Sequence, residues 1–188
     1  MAPTKAYIII DLQNDYFPGG KFELKNIEQA SSNAAKFLQF ARTKPEEFFV
    51  IHVRHVFAPS EPAPFFEEGT EGSQIHDVVK PLAGETVITK HQPNSFIGTP
   101  LQELLTTNGI KELYVSGAMT NICVQGTVRA ASELGYKVEL LTDAVTTKDW
   151  EYDGKTVTYD QVNTAIFATL AFGYADLVTT SEALSKLQ

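Results

Sequence analysis

Strand-length apolar runs alternate with helix-period segments along this chain, and no other feature limits its architecture as much. Tyr7, Ile8, Ile9 and Ile10 stand side by side within Ala6 to Asp11. The run is continuous rather than alternating, as expected of a strand buried on both faces. Further strands are predicted at Phe48 to Val53, Thr86 to Thr89, Lys111 to Ser116, Val138 to Leu141 and Ala175 to Val178. Asn26 to Arg42 reads as a helix, with Ile27, Ala30, Ala34, Phe37, Leu38 and Ala41 recurring at three and four, and Asn26 with Gln29 imitating a capping box. Pro100 to Thr106 reads as a short helix capped by Thr99. Ile122 to Leu134 and Tyr159 to Phe172 read as helices stopped by Gly135 and Gly173, and Ser181 to Leu187 as a last helix. This order predicts a six-stranded, mostly parallel sheet covered by helices on both faces, within one domain over residues 1–188. One segment breaks the rhythm: Val56 to Pro81 carries Pro59, Pro62, Pro64, a Glu-rich patch and two glycines. A loop of that length in a compact domain is usually functional, so residues 56–81 are expected to form an active-site loop.

Composition removes several classes. At 188 residues and 43% hydrophobic content the chain can bury a core without a metal or disulfide, and disorder is excluded. The formal net charge of -8 argues against nucleic-acid binding. No apolar run approaches the ~18 residues of a membrane helix, and the first residues lack the h-region of a signal peptide. Cys123 is the one cysteine, which points to a reducing compartment and a cytoplasmic protein.

In an open parallel sheet, ligands bind beyond the carboxyl ends of the strands. Asp11 follows the first strand, with Gln13, Asn14 and Asp15 behind it. Lys90 and then His91 follow the third. Gly117 to Cys123 follow the fourth, and Asp143 the fifth. A carboxylate, an amine and a thiol would converge there. Cys123 is expected in the first turn of a helix, three residues past a cap at Thr120, where free N–H groups favour a thiolate. Moving a thiol from ~8.5 to ~6 takes about 3.4 kcal/mol. A helix terminus supplies ~0.3–1 and at best about 2, so a neighbouring ammonium such as Lys90 is needed for the remainder. The same N–H groups could hold an oxyanion.

At these positions the sequence resembles the isochorismatase-like cysteine hydrolases, which include nicotinamidases and carbamoylsarcosine hydrolases. The resemblance rests on Ile10-Asp11-Leu12-Gln13-Asn14-Asp15-Tyr16-Phe17, on Thr89-Lys90 with Asn94-Ser95-Phe96 and Thr99-Pro100-Leu101, on Val115-Ser116-Gly117-Ala118-Met119-Thr120-Asn121-Ile122-Cys123-Val124, and on Leu141-Thr142-Asp143-Ala144. It implies a three-layer α/β/α, Rossmann-like fold. It also implies a triad in which Asp11 accepts a proton, Lys90 is the charge partner and Cys123 the nucleophile. A cis peptide before Met119 is implied as well, aiming the Met119 N–H, with that of Cys123, into an oxyanion hole. The implied chemistry is hydrolysis of an amide, imide or carbamoyl C–N bond through a thioester, without a cofactor, in a homo-oligomer (dimer or tetramer) acting on a small molecule. Nicotinamidases carry an Asp-x-His metal motif where this chain has Val53-Arg54-His55, so no metal is expected. The pocket is expected to use Gln13, Phe17, Phe57, Phe65, Phe66 and Thr120, with Tyr16 on its floor and Trp150 and Tyr152 closing it or facing another subunit. The turn Glu68-Gly69-Thr70-Glu71-Gly72 would lie over it.

Three other readings compete. An ether-cleaving isochorismatase would not need Cys123. A nucleotide- or flavin-binding module would show a glycine-rich phosphate loop after the first strand, where Asp11 stands instead. A silent interaction domain would make no use of the convergent residues. A serine hydrolase is excluded by the absence of G-x-S-x-G.

Overall fold

The computed structural model describes residues 3–58 and 60–188; Met1, Ala2 and Pro59, the last within the expected loop, lie outside the described residues. Six strands form one sheet: β1 (Lys5–Ile10), β2 (Phe48–His55), β3 (Thr86–Lys90), β4 (Glu112–Ala118), β5 (Lys137–Thr146) and, last in sequence, β8 (Asp176–Val178). Their order is β3-β2-β1-β4-β5-β8, and every neighbouring pair is parallel. The chain winds outward from β1 through β2 to β3, then returns to place β4 on the other side of β1. That reversal creates a crevice at the carboxyl ends of β1 and β4.

The apolar runs are continuous because both faces of the sheet are covered. Tyr7 and Ile9 of β1 pack with α1 (Ile27–Arg42) and α5 (Thr180–Leu187). Ala6, Ile8 and Ile10 pack on the opposite face with α2 (Leu101–Thr107), α3 (Gln125–Glu133) and Leu170 of α4 (Tyr159–Gly173).

Several element boundaries differ from expectation, each for a local reason. Asn26 is the N-cap of α1 but adopts φ 54 and its side chain caps nothing. Pro100, rather than Thr99, is the N-cap of α2, although Thr99 Oγ1 accepts from the Leu101 N–H at 3.3 Å. β5 runs past Leu141 to Thr146 through a register shift against β4. An antiparallel hairpin of β6 (Trp150–Tyr152) and β7 (Lys155–Val157) stands where a loop was expected. Asp143, which follows the apolar run of β5, serves the next element: its Oδ1 accepts from the N–H and Oγ1 of Thr180, both at 2.7 Å, in the first turn of α5.

Candidate active site

The backbone after each strand explains the local sequence. Ile10 of β1 lies in register with Val53 of β2 and Gly117 of β4. Asp11 turns out of the sheet at φ 53, its N–H still held by the Val53 carbonyl at 2.9 Å. Gly117 has φ 132, and a Cβ there would collide with the Ile10 carbonyl, so only glycine fits beside β1. The Ala118–Met119 peptide is cis. Thr120 to Val124 then form a π-helical turn whose N-cap is Met119, not Thr120. Such turns recur at functional sites.

These elements bring Asp11, Lys90 and Cys123 together. Lys90 Nζ lies 2.8 Å from Asp11 Oδ2 and 3.3 Å from Cys123 Sγ. Its third neighbour is His55 Nδ1 at 3.1 Å, placed there because His55 pairs with Lys90 in the β2–β3 register. Asp11 and Lys90 are fully buried and Cys123 is 6% exposed. Neither Asp11 oxygen receives an aligned hydrogen bond among the described residues, so the carboxylate keeps lone pairs free despite its ion pair.

Electrostatics revises one expectation. Burial pushes the Cys123 thiol up to about 12, the Asp11 charge reinforces the rise, and Lys90 only partly opposes it. The sequence suggested a lowered value because it offered Lys90 as a free cation, but Asp11 occupies that charge. Burial pulls Lys90 down, yet the charges of Asp11 and Cys123 outweigh it and keep the ammonium protonated. Burial raises the Asp11 carboxyl against the pull of Lys90. His55 is lowered to about 3, by burial and then by Lys90, so its ring is neutral.

Cys123 opens onto a cavity of about 280 Å³ whose wall includes Tyr16, His55, Phe57, Glu61, Phe65, His91, Met119 and Ile122. Phe57 meets Phe65 edge-on at 5.2 Å and His55 at 5.0 Å. Phe57 and Phe65 thus stand where the pocket was expected. Phe66 does not line the cavity. It is fully buried and supports Phe65 and Tyr16 from behind, at 4.9 and 4.5 Å between ring centres. Phe17 points elsewhere and stacks on His76 at 3.6 Å. Thr120 is fully buried outside the cavity wall. Trp150 also lies away from it, donating to Thr147 Oγ1 at 3.2 Å, and Tyr152 is 85% exposed.

Gln13 is a brace and not part of the wall. Its Nε2 donates to the carbonyls of His55 and Ser73, each at 2.9 Å, and its Oε1 accepts from the His55 N–H at 2.8 Å. Asn14 Nδ2 donates to the Glu71 carbonyl at 2.8 Å. Asp15 Oδ2 accepts from the Phe66 N–H at 2.6 Å, and a Cβ on Gly72 would strike that carboxylate. The polar residues after Asp11 therefore tie the second half of the loop against β1. Glu61, Gln92 and Pro93 are wall residues to which sequence reasoning gave no role, whereas His91 follows Lys90 at a strand end as expected. Glu61 lies within the Glu-rich loop, the one sequence signal that pointed to it.

The residues do not fit a metal ion. Val53 is buried in the core, His55 Nδ1 faces Lys90, and among the described residues no three His, Cys, Asp or Glu side chains converge as a ligand set.

A family model described as the isochorismatase domain matches residues 5–171. The isochorismatase family protein YddQ of Bacillus subtilis (strain 168) is 44% identical over 177 residues, 94% of this chain and 97% of the relative. A streptothricin hydrolase of Streptomyces noursei is 30% identical over 152 residues, 78% of this chain but 56% of the relative. A crystal structure of an isochorismatase hydrolase homologue from Oleispira antarctica superposes with a TM-score of 0.92 at 40% identity, covering 98% of both chains.

Proposed function

The chain belongs to the isochorismatase family of hydrolases, and from that membership we propose that it is a cysteine hydrolase that cleaves a small amide, imide or carbamoyl C–N bond through a thioester on Cys123. One observation carries the reading: the Cys123 thiol faces the cavity while, behind it, a single ammonium touches both its sulfur and the Asp11 carboxylate.

A thiol raised to about 12 is not a resting thiolate, so it must lose its proton as it attacks. Asp11 is the acceptor: it is fully buried, that burial raises its basicity against the pull of Lys90, and the Cys123 side chain lies within hydrogen-bond reach of it. As Sγ bonds to the substrate carbonyl carbon, its proton passes to Asp11 and negative charge develops on the carbonyl oxygen. Two backbone amides support an oxyanion hole. Ile122 and Val124 donate to the Met119 carbonyl at 3.0 and 3.2 Å, which pins the turn that carries Cys123, and the Met119 N–H meets no backbone carbonyl among the described residues. Asp11 returns the proton to the departing amine. Water then attacks the thioester, giving its proton to Asp11 and regenerating the thiol as the acid leaves. Lys90 stays charged throughout and offsets the anion that forms on sulfur or carboxylate.

We also read the chain as a cytoplasmic homo-oligomer. α4 leaves Ala165, Ala168, Ala171 and Phe172 exposed, the last at 94%, an apolar stretch of the kind subunits bury, and Cys123 is a free thiol suited to a reducing compartment. No helix among the described residues is long and apolar enough to cross a membrane.

The test is turnover of a panel of amides, imides and carbamoyl compounds, followed by release of ammonia or amine. Cys123→Ala is expected to lose at least about a thousandfold in kcat with an unchanged far-ultraviolet spectrum. Wild-type turnover by that variant contradicts the covalent route and favours ether cleavage, which needs no thiol.

A further inference from the structure

The proposed thioester chemistry acts on a carbonyl; it leaves open what the rest of the substrate carries. The cavity wall supplies that information through its charge. Lys90 and Asp11 lie behind the wall and neutralise one another at 2.8 Å. His55 is neutral, and because its Nδ1 accepts from Lys90 at 3.1 Å its proton sits on Nε2, a donor. His91 donates from Nδ1 to the Val56 carbonyl at 2.7 Å. Among the described residues no Lys or Arg lines the cavity, and Glu61 is the one carboxylate on its wall. The cations of the surrounding loop are engaged elsewhere: Arg54 with Thr89 and Glu68, Lys21 with Glu67, and Lys80 with Asp77. Among the described residues none pairs with Glu61. A space of about 280 Å³ is roughly 8 Å across, and Glu61, exposed to solvent, stands on its wall, so a charge held inside it feels the carboxylate through an attraction that salt screens.

We propose that Glu61 is a specificity determinant of this cavity and that the substrate bears a cationic nitrogen group, such as an amine or amidine, beyond its scissile carbonyl. This rests on the cysteine-hydrolase reading and narrows it. A carboxylate-bearing substrate would meet repulsion from Glu61 with no cation on the wall to offset it, so discrimination comes from repulsion as well as attraction. The aromatic wall of Tyr16, Phe57 and Phe65 adds faces on which a cation can lie.

The single thiol provides a test that needs no knowledge of the substrate. Cys123 is modified by three methanethiosulfonates: neutral methyl, permanently cationic 2-(trimethylammonium)ethyl and permanently anionic 2-sulfonatoethyl. In each case the sulfur forms a mixed disulfide and a sulfinate departs. Rates are followed by intact mass at low ionic strength and divided by those for 2-mercaptoethanol. The expected result is a cation-over-anion preference that falls by roughly fivefold or more in Glu61→Gln and shrinks with salt. Glu71→Gln, which removes an equal charge from the loop outside this cavity, is expected to keep the preference. An unchanged ratio in Glu61→Gln, or an equal fall in Glu71→Gln, overturns the role of Glu61 while leaving Cys123 reactive. Failure of all three reagents to modify folded wild-type protein instead overturns the nucleophile, and this inference with it.

Discussion

Cys123 shares its ammonium with a carboxylate: Lys90 Nζ lies 3.3 Å from its sulfur and 2.8 Å from Asp11. Its position after β4 and its place in the motif were legible in the sequence, as were Asp11 and Lys90, because each follows a strand end. Its protonation was not legible. A helix terminus and a lysine seen in sequence favour a thiolate, but whether that lysine is already paired depends on three-dimensional geometry. With Asp11 2.8 Å from Lys90 and the thiol pushed up to about 12, alkylation by iodoacetamide is expected to keep rising to pH 10 without a plateau. A plateau with a midpoint of 6–7 would mean that Lys90 acts as an unpaired cation and that the sulfur rests as thiolate. The pocket residues show a similar limit. Gln13 and Thr120 stand close to the triad in sequence, yet Gln13 spends its amide on His55 and Ser73. Glu61 reaches the cavity from a loop whose path no local pattern encodes, whereas His91 follows Lys90 at the end of β3.

Among the elements, those with a strong period were readable and those shaped by polar side chains were not. α1 follows its apolar spacing. β5 continues beyond its apolar run because Thr142 and Asp143 remain in the sheet while bonding outward to the chain around β8 and α5. The β6–β7 hairpin has only three residues per strand, but its Asp153-Gly154 turn, at φ 50 and 70, is a hairpin signal that could have been recognised. The turn before β3, the strand that delivers Lys90, is fixed by Glu85. Its carboxylate accepts from Arg42 Nε and Nη2, each at 2.7 Å, and from the Leu82 N–H at 2.9 Å, with His52 Nε2 also at 2.9 Å. Burial pushes Glu85 up, but these donors together hold it at about 2. A carboxylate lowered by folding stabilises the protein above its unfolded value of ~4.3 and loses that contribution as pH falls toward about 2. Glu85→Gln is expected to cost up to about 3 kcal/mol at pH 7. It is also expected to flatten the fall of Tm between pH 4.5 and 2, as read by calorimetry. An acid limb identical to wild type would show that the turn is held by other contacts.

At the scale of the whole molecule, the parallel sheet with helices on both faces was predictable because strand and helix periods alternate with so few exceptions. Surface assignments were less accessible. α4 reads as an ordinary packed helix, but Leu170 is its one fully buried side chain. Phe172 stands 94% exposed at its end. In the homo-oligomer proposed above this surface is covered. Wild-type protein is expected to sediment as a dimer or tetramer at micromolar concentration, and Phe172→Glu to shift it toward monomer. A wild-type monomer at high concentration would remove the oligomer from the account. In the proposed mechanism a sheet crevice, a braced loop and a thiol form one acylation site. The most direct measurement is the intact mass of enzyme quenched in acid during turnover of an amide substrate. A mass increase equal to the acyl group is expected, carried on the peptide containing Cys123, removed by hydroxylamine and absent in Cys123→Ala. Steady turnover with Cys123 unmodified at every quench time, and no hydroxylamine-sensitive adduct, would contradict it.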